Sequence, residues 1–383
     1  MALKYLYVPS GYKAGTAYGV LPNVAAADFS FTRDSAGFRV NSDGLLESEL
    51  SDVPRLDYTD SSCPSLLLEA SKTNLVIYSE NFTGWNVAGT PTVTENATLD
   101  PKGGNNGTLL SLGSSSALFR TANFSAEPTT FSVYLKSPTV AGTYPLNWYA
   151  SNGGAHHREL VNVTTEWQRF ELNFTPTGLG TRYVYVGDNR GAIGETLSSV
   201  YAWGAQVESS SKATSYIKTE ADVITRSADT GIVTSDLSSY INSTEGVLEV
   251  KMSRFEGIPS TEQSWISLSA SETNDDNSVS VGFTGLNTTL AHFIKSSDVD
   301  VTTPTTSQVT EDLSQINVIK LKWKDGDFQA KIGNTTINLS AGAGSLPFAS
   351  TLKYLRIGYP SYSAGAFKGN IQYIKVYDSA TDF

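Results

Sequence analysis

The sequence predicts an all-β protein: a small N-terminal β region followed by two β-sandwiches. Three observations carry that expectation. Hydrophobic residues make up 39% of the 383 and charged residues only 17%, with Ser, Thr, Asn and Gly filling the difference, as in turn-rich sheet proteins with polar outer faces. Side chains alternate with a period of two, most clearly Phe131, Val133 and Leu135 against Ser132, Tyr134 and Lys136, which sends one set to a core and the other outward. In the third, Ile319, Leu321 and Trp323 alternate with Lys320, Lys322 and Lys324, Asp325-Gly326 supplies a tight turn, and Phe328, Ala330 and Ile332 return. That pattern is a β-hairpin.

Taken in order, Lys4 to Val8, Phe29 to Thr32 and Phe38 to Val40 read as short strands bounded by Gly, Pro or Asp. They lie in a first region, 1–74, too poor in large apolar residues to fold well alone. From Pro54 to Trp85 a turn-rich stretch meets Pro64, the apolar run Leu66 to Leu68, a polar spacer, Leu75 to Tyr78, and Trp85 after a turn. This is a junction of strands and loops. A second region, 75–218, holds Phe170, Leu172 and Phe174 alternating with Arg169, Glu171 and Asn173, then Arg182 to Asp188 and Ser199 to Glu208. Several strands at short spacing joined by Gly/Asn/Ser loops make a jelly-roll sandwich. Residues 219–234 keep no steady period and read as a linker, and 235–383 form a second sandwich closing on Phe367 to Asp378.

The run from Thr32 to Glu47 (TRDSAGFRVNSDGLLE), followed by VPRLDY and LLLEASKTNL, resembles tailed-bacteriophage virion proteins, at the joint between an attachment region and outward-facing domains. NFTGW, TEWQRFELNFT and YAWGAQVE, in that order, resemble jelly-roll carbohydrate-binding modules. The closing FKGNIQYIKVYD resembles the last strand of laminin-G and concanavalin A-like sandwiches. The resemblance implies a fibre, spike or head-fibre component of a virion, assembled in the host cytoplasm and released by lysis. It implies attachment to other virion proteins through residues 1–74, trimerisation, and contact with host-surface polysaccharide. The N-terminal end would then face the particle and the C-terminal end point outward.

Composition excludes several other classes. A net charge of -11 argues against nucleic acid as a partner, since phosphate binding needs clustered Lys and Arg. The single cysteine, Cys63, permits neither an intrachain disulfide nor a thiolate zinc site. The N-terminal residues lack the basic and apolar regions of a signal peptide, and no stretch has the length of a membrane span. Three histidines occur, and the adjacent His156-His157 pair reads as an exposed loop entering a strand. No Glu-x-Asp-x-x-Glu pattern, phosphate loop or nucleophile elbow is present, so the expectation is a non-enzymatic protein without cofactor. Asn274 to Asn277 with Asp298 and Asp300 offers hard oxygen ligands, but a turn explains those residues better than calcium.

Sugar recognition needs an aromatic face for the apolar side of a pyranose, with polar groups beside it for the hydroxyls. Trp85, Trp203 and Trp323 read as core and Trp167 is ambiguous. Trp148 and Tyr149 before a Gly-rich loop are the leading candidates, with Arg158, Asp188, Asn189 and Arg190 as polar partners; for Trp148 core packing outweighs stacking. Tyr359 and Tyr362 form a second, weaker candidate. The expected function is glycan binding by a virion appendage. The alternative is a capsid or tail decoration protein that binds no sugar.

Overall fold

The computed structural model describes residues 2–113, 115–123, 127–150, 156–175, 181–230, 232–255, 263–284, 288–303, 305–358, 367–381 and 383. Among them helix is confined to two single 3-10 turns, Ala25–Ala27 and Phe82–Gly84, and strands form the rest of the regular structure. The chain divides into two compact units. Unit 1 comprises Met1–Gly44, Glu49–Ser71 and Ser227–Phe383, and unit 2 comprises Leu45–Ser48 and Lys72–Arg226. Unit 2 is therefore an insertion in the chain of unit 1.

Unit 2 is the jelly roll. One antiparallel sheet orders Asn86–Ala88, Ser116–Asn123, Thr181–Asp188, Gly142–Ala150 and His156–Val163; the other orders Thr92–Thr98, Gly107–Ser111, Ser199–Glu208, Thr129–Lys136 and Gln168–Phe174. The alternation legible in the sequence builds the core. Phe131, Val133, Leu135 and Leu172 from the second sheet share a cluster with Leu118, Leu146, Trp148, Val184 and Val186 from the first. The outer face of the second sheet is roofed. Trp203 lies under Tyr216 at 4.6 Å between ring centroids, beside Tyr134 at 5.6 Å. Asn74 clamps the roof by donating from Nδ2 to the carbonyls of Ile217 (2.8 Å) and Ala205 (3.1 Å). The neck of the insertion is a two-stranded ladder of Lys72–Asn74 with Ile224–Arg226. Residues 219–234, read as a linker, are thus partly a strand, with Asp229 buried beyond it.

Unit 1 is the second sandwich. Its larger sheet runs Thr335–Asn338, Gln329–Ile332, Asn317–Lys324, Glu245–Arg254, Gly369–Tyr377, Ser65–Leu68 and Arg55–Asp57, with Leu3–Tyr7 also on Gly369–Tyr377. The opposing sheet holds Val299–Asp300, Thr289–Ser296, Ser278–Thr284, Gln263–Ser269 and Tyr354–Ile357, with Thr306–Gln308 on Thr289–Ser296. The Asp325-Gly326 hairpin is present, Leu321 opposite Ala330 and Gly326 at φ 72°, where glycine meets no Cβ penalty.

The separate N-terminal region expected for 1–74 is not separate. Tyr5, Tyr7, Phe29, Phe31, Leu66 and Leu68 belong to the same core as Leu248, Val250, Ile371 and Ile374. The physical reason is the edge of Gly369–Tyr377, whose open backbone groups and apolar inner face need a partner. Leu66 to Leu68 cover one end of that edge and Leu3 to Tyr7 the other. The termini are consequently neighbours: Ala2 donates to Asp378 Oδ1 at 3.0 Å and Lys4 pairs with the same carboxylate at 3.2 Å.

A buried ionic cluster fastens the segments together. Arg55 donates to Glu69 and to Asp229 at 2.6 Å each, and Arg33 pairs with the other Asp229 oxygen at 3.2 Å. The backbone of Glu69 donates to Asp229 Oδ2 at 2.7 Å. Two guanidiniums and two carboxylates balance. Burial works to lower the pKa of the Arg55 guanidinium, but the charges of Asp229 and Glu69 outweigh it and raise the value. Arg33 lies in Thr32–Glu47 and Arg55 and Glu69 in the stretch 53–75, so these segments supply three of the cluster's four side chains.

Candidate functional site

The outer face of the first jelly-roll sheet is aromatic. Register places two adjacent outward rungs across four strands: Phe119, Tyr185, Asn147 and Arg158 in one, and Thr121, Tyr183, Tyr149 and His156 in the next. The strands are spaced about 4.8 Å apart, so each rung spans roughly 14 Å, and the rungs are about 6.7 Å apart along the strands. The rings form one contact network. Phe119 meets Tyr185 at 5.3 Å and Tyr183 at 5.9 Å, Tyr183 stacks on Tyr149 at 5.9 Å with an interplanar angle of 27°, and Tyr149 meets His156 at 6.0 Å. Phe119, Tyr149 and Tyr183 are half-buried, so each keeps ring surface open to solvent.

Polar groups are fixed around the rings. The buried Asp188 carboxylate accepts from Arg158 Nε, the Arg158 Nη2 group also donates to the Gly191 carbonyl, and Asp188 Oδ1 accepts the backbone N–H of Arg190 at 2.9 Å. That carboxylate holds Arg158 and the following turn in one arrangement. Asp188 reaches this position through Gly187, at φ 94°, where a Cβ would come within 2.3 Å of Leu112 Cδ1. The Arg190 guanidinium lies over the Tyr149 ring at 5.0 Å, a cation–π contact. Burial, then the charge of Arg190, lowers the His156 pKa, so at neutral pH the imidazole is uncharged. The Asn147 side chain is fully buried, and its Oδ1 has no hydrogen-bond partner among the described residues.

Of the residues singled out from sequence, Tyr149, Arg158, Asp188 and Arg190 come together here, and Asn189 is exposed in the same turn. Trp148 does not join them. It is 6% exposed and stacks on Phe174 at 4.3 Å inside the core, because its neighbour Tyr149 faces outward and adjacent strand residues take opposite sides. Tyr359 and Tyr362 lie outside the described residues. His156 and His157 begin a strand and diverge: His156 joins the rings, while His157 is exposed beside Glu159 at 3.7 Å. Trp167 is half-buried and donates from Nε1 to the Leu99 carbonyl at 2.8 Å. Phe119, Tyr183, Tyr185 and Asn147 were not anticipated. The signal for the two tyrosines was present in RYVYVGD, where they occupy the phase opposite Val184 and Val186.

In unit 1 the acidic turn residues converge, with Asp275, Asp276 and Asp298 able to bring ligand oxygens within 4.8 Å of one another. Lys295 Nζ already stands among them, 3.2 Å from Asp275 and 3.1 Å from Asp298. A lysine ammonium thus supplies the counter-charge.

No protein-family model matches the chain, and no curated protein matches it. Among solved structures it is similar to the N-terminal CBM22-1-CBM22-2 tandem domain of Xyn10C from Paenibacillus barcinonensis, with 11% identity and a TM-score of 0.28 over 82% of this chain and 99% of that one. It is also similar to domains LG4-5 of the mouse laminin alpha1 chain, with 9% identity and a TM-score of 0.25 over 67% and 86%. Likeness at this level carries no argument about a ligand. The all-β, two-sandwich architecture rests on the sheets themselves.

Proposed function

We propose that the protein is a non-enzymatic glycan-binding component of a tailed-phage virion, a fibre or spike part that engages host-surface polysaccharide through unit 2. The observation that carries the glycan reading is the ring network of Phe119, Tyr149, Tyr183 and Tyr185, flanked by Arg158, Arg190 and His156. Flat rings take the CH face of a pyranose, and guanidinium, imidazole and phenol groups take its hydroxyls. The two rungs carry no carboxylate, and Asp188 beside them is committed to Arg158. Glycoside hydrolysis needs a pair of carboxylates flanking the bond, which favours binding over cleavage. A shallow face binds each glycan weakly, and several copies on one particle raise the effective concentration.

The virion assignment is supported by the sequence resemblance of 32–47 and 54–85. Residues 1–44 and 49–71 are built into unit 1, so in this reading unit 1 as a whole makes the contact with other virion proteins, and the intact chain forms the trimer. The test is a multivalent display of the full chain on a glycan array and on host cells, beside the Tyr149→Ala/Tyr183→Ala variant. The expected result is binding that falls at least tenfold in the variant. Failure of the wild-type display to bind any glycan or cell would overturn the glycan reading and favour a decoration protein.

A further inference from the structure

At the end of the sandwich where Gly142–Ala150 begins and Thr181–Asp188 ends lies a cleft of ≈280 Å³, lined by Tyr144, Pro145, Gly187, Asp188, Glu195 and Ser198 among others. We propose that this cleft receives the terminal ring of a neutral oligosaccharide whose following rings lie on the aromatic face. The inference rests on the glycan-binding reading above and adds to it a mode of recognition: by the end of a chain, not its middle.

Part of the cleft lining, Pro145 and Gly187, stands in line with the aromatic face, while Tyr144, Leu112 and Leu197 come to it from the core side. Tyr183, Tyr185 and Gly187 follow one another at two-residue steps along one strand, as Tyr149, Asn147 and Pro145 do along its neighbour. Each step is about 6.7 Å, so a chain lying over the tyrosines reaches Gly187 and Pro145 one step later. The cleft volume falls at the small end of ligand pockets, which hold roughly 300–1,000 Å³, so it suits one ring. Its end is closed by the 192–198 segment, tied back where Thr143 N donates to the Thr196 hydroxyl Oγ1 at 2.9 Å and Thr196 N donates to the Thr143 carbonyl at 3.1 Å.

Two groups give the cleft its chemistry. Tyr144 is 1% exposed, and its hydroxyl has no hydrogen-bond partner among the described residues. A buried hydroxyl without a partner costs stability, and a ligand hydroxyl would relieve that cost. Glu195 is half-buried and spends Oε2 on the backbone N–H of Ile193 at 2.8 Å. Carboxylates accept readily from sugar hydroxyls. Asp188 is neutralised by Arg158, whereas Glu195 has no ion pair among the described residues. An anionic ring would meet that charge uncompensated, so the terminal residue is neutral.

The experiment uses the full chain, a calorimetric titration and neutral gluco-, galacto- and manno-oligosaccharides of two to six rings, together with the matching long polysaccharides. The expected stoichiometry is one protein per polysaccharide chain whatever its length. Tyr144→Phe and Glu195→Gln should each weaken binding about tenfold or more. Because the Tyr144 hydroxyl bonds to none of the described residues, Tyr144→Phe should melt no lower than wild type, which separates loss of binding from loss of fold. Protein loading that rises with polymer length, or unchanged affinity in both cleft variants while Tyr149→Ala/Tyr183→Ala abolishes binding, overturns the end-recognition inference and leaves the face intact. Absence of binding to any of these sugars overturns it, and absence of binding on the wider array as well overturns the glycan reading itself.

Discussion

Replacing Arg55 by Met isolates the ionic cluster that joins the three chain segments of unit 1. Arg55 has no exposed side-chain surface and bridges Glu69 and Asp229 at 2.6 Å each, with a third bond to the Phe38 carbonyl at 3.2 Å. Methionine fills much of the volume but leaves two buried carboxylates facing the one guanidinium of Arg33, at 3.2 Å from Asp229. Breaking a buried pair by removing one partner costs about 3–5 kcal/mol. With a urea m-value of about 3 kcal/mol/M, the unfolding midpoint of unit 1 should fall by about 1–1.7 M. Hydrogen exchange read by mass spectrometry follows the two units separately, with strands 245–254 and 317–324 as reporters and strand 129–136 of unit 2 as internal control. Arg55→Lys should fall between Met and wild type, because an ammonium keeps the charge but not the two-pronged geometry. The loss should persist in 1 M salt, since a buried pair is barely screened. A midpoint shift below about 0.3 M for Arg55→Met would refute a structural role for the cluster.

Deleting residues 1–71, which takes only the short Leu45–Ser48 segment from unit 2, should leave the two jelly-roll sheets of unit 2 folded and unit 1 unprotected in the same exchange experiment. The deletion removes six core side chains (Tyr5, Tyr7, Phe29, Phe31, Leu66 and Leu68); at about 1.5–3 kcal/mol each, that is roughly 9–18 kcal/mol, as much as a whole domain's stability, and full protection of strands 245–254 in the truncated chain would contradict it. His292 is fully buried with its Nε2 2.9 Å from Ser307 Oγ, and burial pushes its pKa down to about 4. The unfolded chain therefore binds a proton near pH 6.5 that the folded one refuses, so stability is complete above that pH and is lost as pH falls toward 4, by about 2 kcal/mol between pH 7 and 5; urea titrations should show that part of the slope vanish in His292→Gln. Gly187→Ala places a Cβ within 2.3 Å of Leu112 and 2.8 Å of the Ser116 carbonyl at φ 94°, and should destabilise unit 2 by about 1–3 kcal/mol, seen as a lower unit 2 midpoint with unit 1 unchanged.

The all-β class was legible because period-two alternation is a local property. Phe131, Val133 and Leu135 point inward whatever they finally meet. Pairing across long separations was not legible. Nothing within Leu3–Tyr7 names Gly369–Tyr377 as its neighbour, and Arg55 lies 174 residues from Asp229. The small N-terminal region looked poor in apolar residues because its partners were elsewhere in the chain. At the site, residue type located Tyr149, Arg158 and Arg190, while parity decided which of Trp148 and Tyr149 could face a ligand. Leu146, Trp148 and Ala150 share a phase and all are buried, so the phase of the strand would have placed Trp148 inside. The positive φ of 94° at Gly187, which precedes the Asp188 that pairs with Arg158, had no local signature beyond the glycine.

The neck of the insertion carries one further consequence for stability. Glu69 and Asp229 must meet for unit 1 to close, and between them the chain makes the whole of Lys72–Arg226. Closing a flexible loop of roughly 150 residues costs about 4–5 kcal/mol. When unit 2 is folded, its own ladder brings Lys72 opposite Arg226 and Thr73 opposite Thr225, whose hydroxyls bond at 2.7 Å. Folding of the insertion thus delivers Ser71 and Ser227 together and removes most of that loop cost from unit 1. Two variants separate this coupling from direct stabilisation. Replacing residues 72–226 by a short Gly/Ser linker should leave unit 1 folded and nearly as stable, because the short connection closes cheaply. Unfolding unit 2 within the intact chain, by combining Gly187→Ala with Trp148→Ala in the core, should lower the unit 1 midpoint by an amount approaching the full loop cost. Equal midpoints for unit 1 with unit 2 folded and unfolded would refute the coupling, and collapse of unit 1 in the linker variant would show that it needs the insertion for more than closure.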